Sequence, residues 1–187
     1  MEKLIITAHP SSKGFTHKIA KTYFEESKEQ GHNIEIVDLY NKKYELDFLR
    51  FENKKEIKVS NTAKILQKKI AKAKEIVFVF PTWWGDGPAI LKNFLDNTLT
   101  SGFAFEYEDG KPTKLLTDKT ARIITTCDAH GFVYKFPLIN TKMLWNEGRL
   151  GFCGIKVKSF TIFSKMHKKT DAQKEEFLEK IKILANK

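Results

Sequence analysis

The stretch IVFVFPTWWGDGPAILKNFLDNTL, residues 76–99, decides the fold. Its first five residues are β-branched or aromatic, with no polar alternation. A strand buried on both faces has that composition, and such strands belong to parallel sheets covered by helices. The run is broken by Pro81 and the glycines 85 and 87. From Pro88 the period changes: Ile90, Leu91, Phe94, Leu95 and Thr98 recur at the spacing of one helix face, and proline suits a first helical turn. One strand, one loop and one helix make a βα unit.

The same alternation continues in both directions. Upstream, residues 4–8 (LIITA) read as strand one. Residues 16–30 read as a helix with Ile19, Ala20, Tyr23, Phe24 and Ser27 on one face, stopped by Gly31. Residues 34–39 (IEIVDL) read as strand two, 40–61 as an irregular excursion, and 62–74 as a second helix leading into strand three, IVFVF. Downstream, 103–107 alternates briefly before a hairpin-grade Asp109-Gly110 turn. Residues 121–126 (ARIITT) form strand four, a helix is expected near 139–150, strand five at 155–163, and a charged helix at 171–185. The order predicts an α/β, doubly wound, five-stranded parallel sheet with strand order 2-1-3-4-5. Its ligand site lies beyond the carboxyl ends of strands one, three and four. With 187 residues and no repeat or linker, a single domain over 1–187 is expected.

Composition removes several classes. No apolar run approaches the roughly 20 residues that cross a bilayer, so no membrane insertion is expected. The start MEKLIITAHP reads as structure and not as a signal peptide, which points to the cytoplasm. Cys127 and Cys153 form no CxxC pair, so neither a disulfide framework nor a metal site is expected; both read as small buried hydrophobes. The net charge of +10 comes from 33 basic and 23 acidic residues. The lysines are scattered and accompany no nucleic-acid motif. Their excess suits an anionic cofactor and not a nucleic acid.

Three loops should build the site. The first, HPSSKGFT (9–16), brings Ser11, Ser12, Gly14 and Thr16 to the start of a helix, where backbone N–H groups and the dipole favour a phosphate. It is neither a Walker A sequence nor a GxGxxG. The second sets Trp83 and Trp84 beside Gly85 and Gly87, which suits a planar ring against closely approaching backbone. The third, TTCDAHGFVY (125–134), offers Thr125, Thr126, His130 and Tyr134 across the same crevice.

These loops, with PTWWGDGPAILKNFLDNTLTSGFAFEY (81–107) and LGFCGIKV (150–157), resemble the NAD(P)H:quinone oxidoreductase family of flavodoxin-like flavoproteins over residues 4–163. The resemblance implies a flavin, FMN or FAD with FMN favoured, and NADH or NADPH as donor. It implies two-electron, ping-pong reduction of a small quinone-like acceptor. It places His9, Phe15 and Thr16 at the cofactor phosphate, Pro81, Thr82, Trp83, Trp84 and Gly85 along the ring, and Thr125, Thr126 and Tyr134 opposite. Tyr134 is the expected proton donor, with His130 as the second catalytic candidate. The family often carries two glycines after the two threonines; Cys127 and Asp128 stand there. The resemblance also implies a homodimer, with residues around Phe48 and Phe51 and the stretch 132–145 as candidate contacts. Azo or nitro reduction, one-electron carriage, or a flavin-binding regulatory subunit of a membrane transporter are the competing readings.

Overall fold

The computed structural model describes residues 1–53, 57–130 and 141–187. All seven residues of β3 (Glu75–Pro81) are buried, as the apolar run requires. Strands β1 (Glu2–Thr7) and β6 (Thr120–Thr126) flank it, and β2 (Asn33–Asp38) and β7 (Lys156–Phe163) close the edges. Every neighbouring pair is parallel, and the order is β2-β1-β3-β6-β7. A hairpin of β4 (Phe105–Glu108) and β5 (Lys111–Lys114) stands apart from this sheet. Counting its two strands turns the expected 2-1-3-4-5 into 2-1-3-6-7.

Alternate side chains of the sheet feed two cores. On one face Leu4, Ile6, Phe78 and Phe80 pack with α2 (Asn61–Lys72) and α3 (Ala89–Thr98). On the other, Ile5, Val77 and Val79 pack with α1 (Phe15–Glu29) and α5 (Asp171–Ala185). The caps follow local chemistry: Ser60 Oγ accepts from Ala63 N, and Thr170 with Gln173 forms a reciprocal capping box. Pro88 precedes α3 as its N-cap, one position earlier than its expected place within the first turn.

Two segments depart further from expectation. The excursion after β2 contains a 3₁₀ turn, Lys42–Tyr44, and is then pinned by two buried amides one helical turn apart. Asn93 Nδ2 donates to Leu46 O at 2.7 Å and Asn97 Nδ2 to Asp47 O at 3.1 Å. The helix expected near 139–150 is a short α4 (Thr141–Met143) that widens into a π-helical stretch, Leu144–Arg149; residues 139 and 140 lie outside the described residues. Gly151 permits the widening, because a Cβ there would lie 1.9 Å from Asn146 O. Trp145, expected at a subunit contact, is instead fully buried and stacks on Phe80 at 5.2 Å; residues 132–140 of that stretch lie outside the described residues. Cys127 and Cys153 are both buried, and burial raises the Cys153 thiol to about 11.

The amino ends of the strands meet at one buried carboxylate, Glu75. It accepts from Tyr23 Oη at 2.8 Å, Arg122 Nε at 3.0 Å and Lys158 Nζ at 3.3 Å, with Lys3 Nζ 3.8 Å away. Lys3 also donates to Ala185 O at 2.7 Å, fastening the end of α5 to β1. Burial alone would raise the Glu75 pKa, but the Tyr23 hydrogen bond and the three cations outweigh it and hold the carboxyl below its ordinary range. A depressed carboxyl pKa contributes stability that is present above the ordinary value of 4.5 and lost as pH falls through the lower folded value.

Removing one partner from a buried ion cluster typically costs about 3–5 kcal/mol, so Glu75→Ala should lower the unfolding free energy by that order. Urea titrations at pH 7 and pH 3.5 test both statements. A loss under about 1 kcal/mol at pH 7, or wild-type stability unchanged by acid, would contradict this role for the network.

Candidate functional site

The carboxyl rim is built by extending the sheet's own pairing. Pro81 faces Thr126 in register, and Thr82 N donates to Thr126 O at 2.7 Å. The Thr82 and Thr125 hydroxyls lie 2.6 Å apart, and Thr82, Thr125 and Thr126 are all buried. Ala8 N donates to Val79 O at 3.1 Å, which holds the exit of β1 against β3. The loops leaving β1, β3 and β6 therefore start from three adjacent strands.

In the first loop, Ser11 N donates to His9 Nδ1 at 3.1 Å, Gly14 N to Ser11 O at 3.0 Å, and His17 Nε2 to His9 O at 3.0 Å. The loop folds tightly enough that a Cβ on Gly14 would meet the His9 ring at 2.7 Å. Gly14 is the N-cap of α1, and no side chain caps that helix end. Its first N–H groups lack intrahelical acceptors and carry the positive dipole end. The Phe15 ring packs on Phe163 and Phe177 at 5.2 and 6.4 Å, and Thr16 is buried. Phe15 thus anchors the helix start with its side chain and offers its backbone to the rim. Ser11 and Ser12 are exposed.

The second loop is a two-residue turn. Trp83 N donates to Asp86 O at 2.7 Å and Asp86 N to Trp83 O at 3.0 Å. Both central residues are left-handed, Trp84 with φ 53° and Gly85 with φ 78°. That is the type I′ form, which glycine adopts freely and a bulky aromatic does not. Trp84 is 103% exposed, so no packing in this chain explains the strained position. Three ties hold the turn. Asp86 forms a forked ion pair with both terminal nitrogens of Arg149, Asp86 Oδ1 accepts from Gly87 N at 2.7 Å, and Thr141 Oγ1 donates to Gly85 O at 2.6 Å. Burial would raise the Asp86 pKa; the Arg149 and Gly87 hydrogen bonds, with the charges of Arg149 and Lys92, bring it below the ordinary carboxylate range.

In the third loop Asp128 reaches the segment after β7. It accepts from His167 N at 3.0 Å and His167 Nδ1 at 3.1 Å, and these bonds lower its pKa. His130 is exposed. Tyr134 lies outside the described residues. Among the described residues no group of three His, Cys, Asp or Glu could hold a metal ion, and no helix is long and apolar enough to cross a membrane.

A sequence profile described as flavodoxin-like fold matches residues 1–184. The chain belongs to the flavodoxin-like fold family. Within that family it is 32% identical over 188 residues to an uncharacterized NAD(P)H oxidoreductase of Haemophilus influenzae, covering 96% of this chain and 91% of the relative. It is 33% identical over 137 residues to FMN-dependent NADH:quinone oxidoreductase 2 of Bacillus subtilis, covering 63% of this chain and 65% of that protein. The structure of an NAD(P)H:quinone oxidoreductase from Methanothermobacter marburgensis superposes with a TM-score of 0.86 at 25% identity, covering 99% of this chain and 97% of that one.

For this flavodoxin-like chain, the structure brings His9, Ser11, Gly14, Phe15, Thr16, Pro81, Thr82, Trp83, Trp84, Gly85, Thr125 and Thr126 to one rim. Sequence reading missed Asp86, Arg149, Thr141 and His167. Asp86 and Arg149 are 63 residues apart, and no periodicity links them. Asp86 does carry one signal, a carboxylate between two glycines in a loop otherwise suited to a ring.

A left-handed L-residue costs about 1–2 kcal/mol, so Trp84→Gly should leave stability equal or raise it by up to about 1 kcal/mol, and Gly85→Ala should lower it by about 1 kcal/mol. Urea midpoints measure both. A Trp84→Gly loss above about 1 kcal/mol would show that the ring packs against its own chain.

Proposed function

We infer that the chain is a flavin-dependent NAD(P)H:quinone oxidoreductase. The observation that carries this reading is the fully exposed Trp84 on a strained turn, facing solvent at the same rim as the uncapped start of α1. The donor set fits a flavin: an anion-ready helix end, a free aromatic face, and buried threonine hydroxyls at the same rim. The related NAD(P)H oxidoreductases support the same reading.

A bound flavin would supply the two-electron redox chemistry between a nicotinamide and the acceptor. The chain supplies position and charge. The N–H groups of Phe15 and Thr16 would hold the phosphate, and the His9–Ser11 hydrogen bond keeps the loop folded beside that helix start. Trp83 and Trp84 give the ring an apolar surface. The N–H of Gly85, with its carbonyl occupied by Thr141, is available to electron-rich edges of the ring. Thr125 and Thr126 would line the opposite wall, and Tyr134 would hydrogen-bond the acceptor as it gains charge, with His130 as the second candidate. NADH or NADPH and the quinone-like acceptor occupy one crevice in turn, which makes the kinetics ping-pong. FMN is the assigned cofactor and FAD the alternative: α1 offers one helix end, enough for one phosphate, and a relative of the chain is FMN-dependent.

A homodimer is part of this reading. Phe48 is 68% exposed, and Phe51 and Leu49 are also exposed, along a segment leaving the same rim. Closed twofold assembly is the commonest way to cover such a surface. Sedimentation at micromolar concentration should show two chains per particle; a fully active monomer would defeat this element.

Heat release from the purified protein should yield one FMN per chain, and a naphthoquinone should support NADH or NADPH oxidation with parallel-line kinetics. Trp84→Ala should weaken FMN binding by about 1–3 kcal/mol and Ser11→Ala by about 1 kcal/mol or less. A colourless chain that cannot be reconstituted with FMN or FAD sinks the reading. Tyr134→Phe should keep flavin and slow the acceptor half-reaction, by up to the roughly 10²-fold or more that a general acid contributes. The reverse pattern, with a crippled His130→Ala, would move the proton donor to His130.

A further inference from the structure

We propose that Arg149 is a positioning residue for the flavin site, acting through Asp86 to hold the 83–86 turn in its left-handed form before any ligand arrives. This rests on the flavin reading above and adds a residue whose contacts are with Asp86 and Trp145. The turn needs an external hold. Trp84 is left-handed, its ring has no packing to offset the strain, and the two hydrogen bonds within the turn would suit any tight turn at this place. Arg149 meets the Asp86 carboxylate with both terminal nitrogens, a planar fork that fixes orientation as well as distance.

Arg149 is itself held. Its guanidinium lies 5.0 Å from the Trp145 ring centroid, and Trp145 stacks on Phe80 at 5.2 Å and packs on Phe78 at 5.1 Å. Phe80 and Phe78 belong to β3, the strand that leads into the turn. The path from β3 through the turn, Asp86, Arg149 and Trp145 therefore returns to β3 as a closed ring of contacts. The π-helical stretch gives Arg149 its place in it, since Trp145 and Arg149 lie on that widened segment. Thr141, ahead of the same stretch, binds Gly85 O, so one segment grips the turn at two points. The consequence is a preformed ring-binding surface. If loss of the clamp leaves the competent turn populated one time in ten, the apparent Kd for FMN rises about tenfold.

The test uses full-length apo-protein, FMN titration followed by flavin fluorescence, and amide hydrogen exchange of residues 83–87 without ligand. Arg149→Gln and Asp86→Asn should each raise the Kd for FMN about tenfold and speed exchange in the turn, and the double variant should be no worse than either alone. Arg149→Lys keeps the charge and loses the fork, so it should resemble Arg149→Gln. Far-UV circular dichroism and the urea midpoint verify folding. Should Arg149→Gln prove too unstable, the same variant in a Trp84→Gly background, where the left-handed cost is gone, should fold and show a smaller increase in exchange. Lower urea midpoints with unchanged Kd and exchange would overturn the proposal and leave a scaffold role; wild-type behaviour of Arg149→Lys would also overturn it. A wild-type chain that takes up no FMN would instead defeat the flavin reading, and the exchange rates alone would then decide whether the clamp holds the turn.

Discussion

One buried carboxylate, Glu75, sets the geometry on which the functional rim depends. Lys3 and Glu75 are partners in the β1–β3 register, and Arg122 and Lys158 reach the same carboxylate from β6 and β7. A one-residue slip of any of these strands would turn its cation to the opposite face and leave a buried charge unpaired. With four strands fixed at their amino ends, their carboxyl ends are fixed as well. Pro81 then lies opposite Thr126, and the Thr82 and Thr125 hydroxyls meet beyond them.

The two rims use polar groups in opposite ways. At the amino rim Tyr23, Arg122 and Lys158 all donate to the one buried carboxylate of Glu75. At the carboxyl rim groups are left open: a helix start without a side-chain cap, an exposed tryptophan, and a left-handed turn held from behind by Arg149. Local conflicts with good folding rules concentrate where a ligand would resolve them. The same division accounts for the irregular excursion after β2. Its backbone is pinned by Asn93 and Asn97, while Phe48 and Phe51 remain exposed.

Much of this was legible in residue order. The apolar run at 76–80, the period change at Pro88 and the repeated strand–helix alternation specify a five-stranded parallel sheet, because strands buried on both faces have no polar side to show. The three rim loops followed from topology. Contacts between distant positions were not legible. Nothing in the sequence pairs Asp86 with Arg149 or Asp128 with His167, since neither pair shares an element or a period. The widening of the helix around Trp145 was hidden for a related reason: helical periodicity reports a face and not the width of a turn. Trp145 therefore read as a surface aromatic when it is the wall that steadies Arg149.

The most direct measurement of the central claim is the nuclear magnetic resonance spectrum of ¹⁵N-labelled apo-protein titrated with FMN. The account predicts shifts concentrated in the backbone amides of residues 9–16, 82–87 and 125–130, with the amides around Glu75, at the opposite rim, unmoved. No saturable shifts, or shifts centred away from the carboxyl rim, would contradict it.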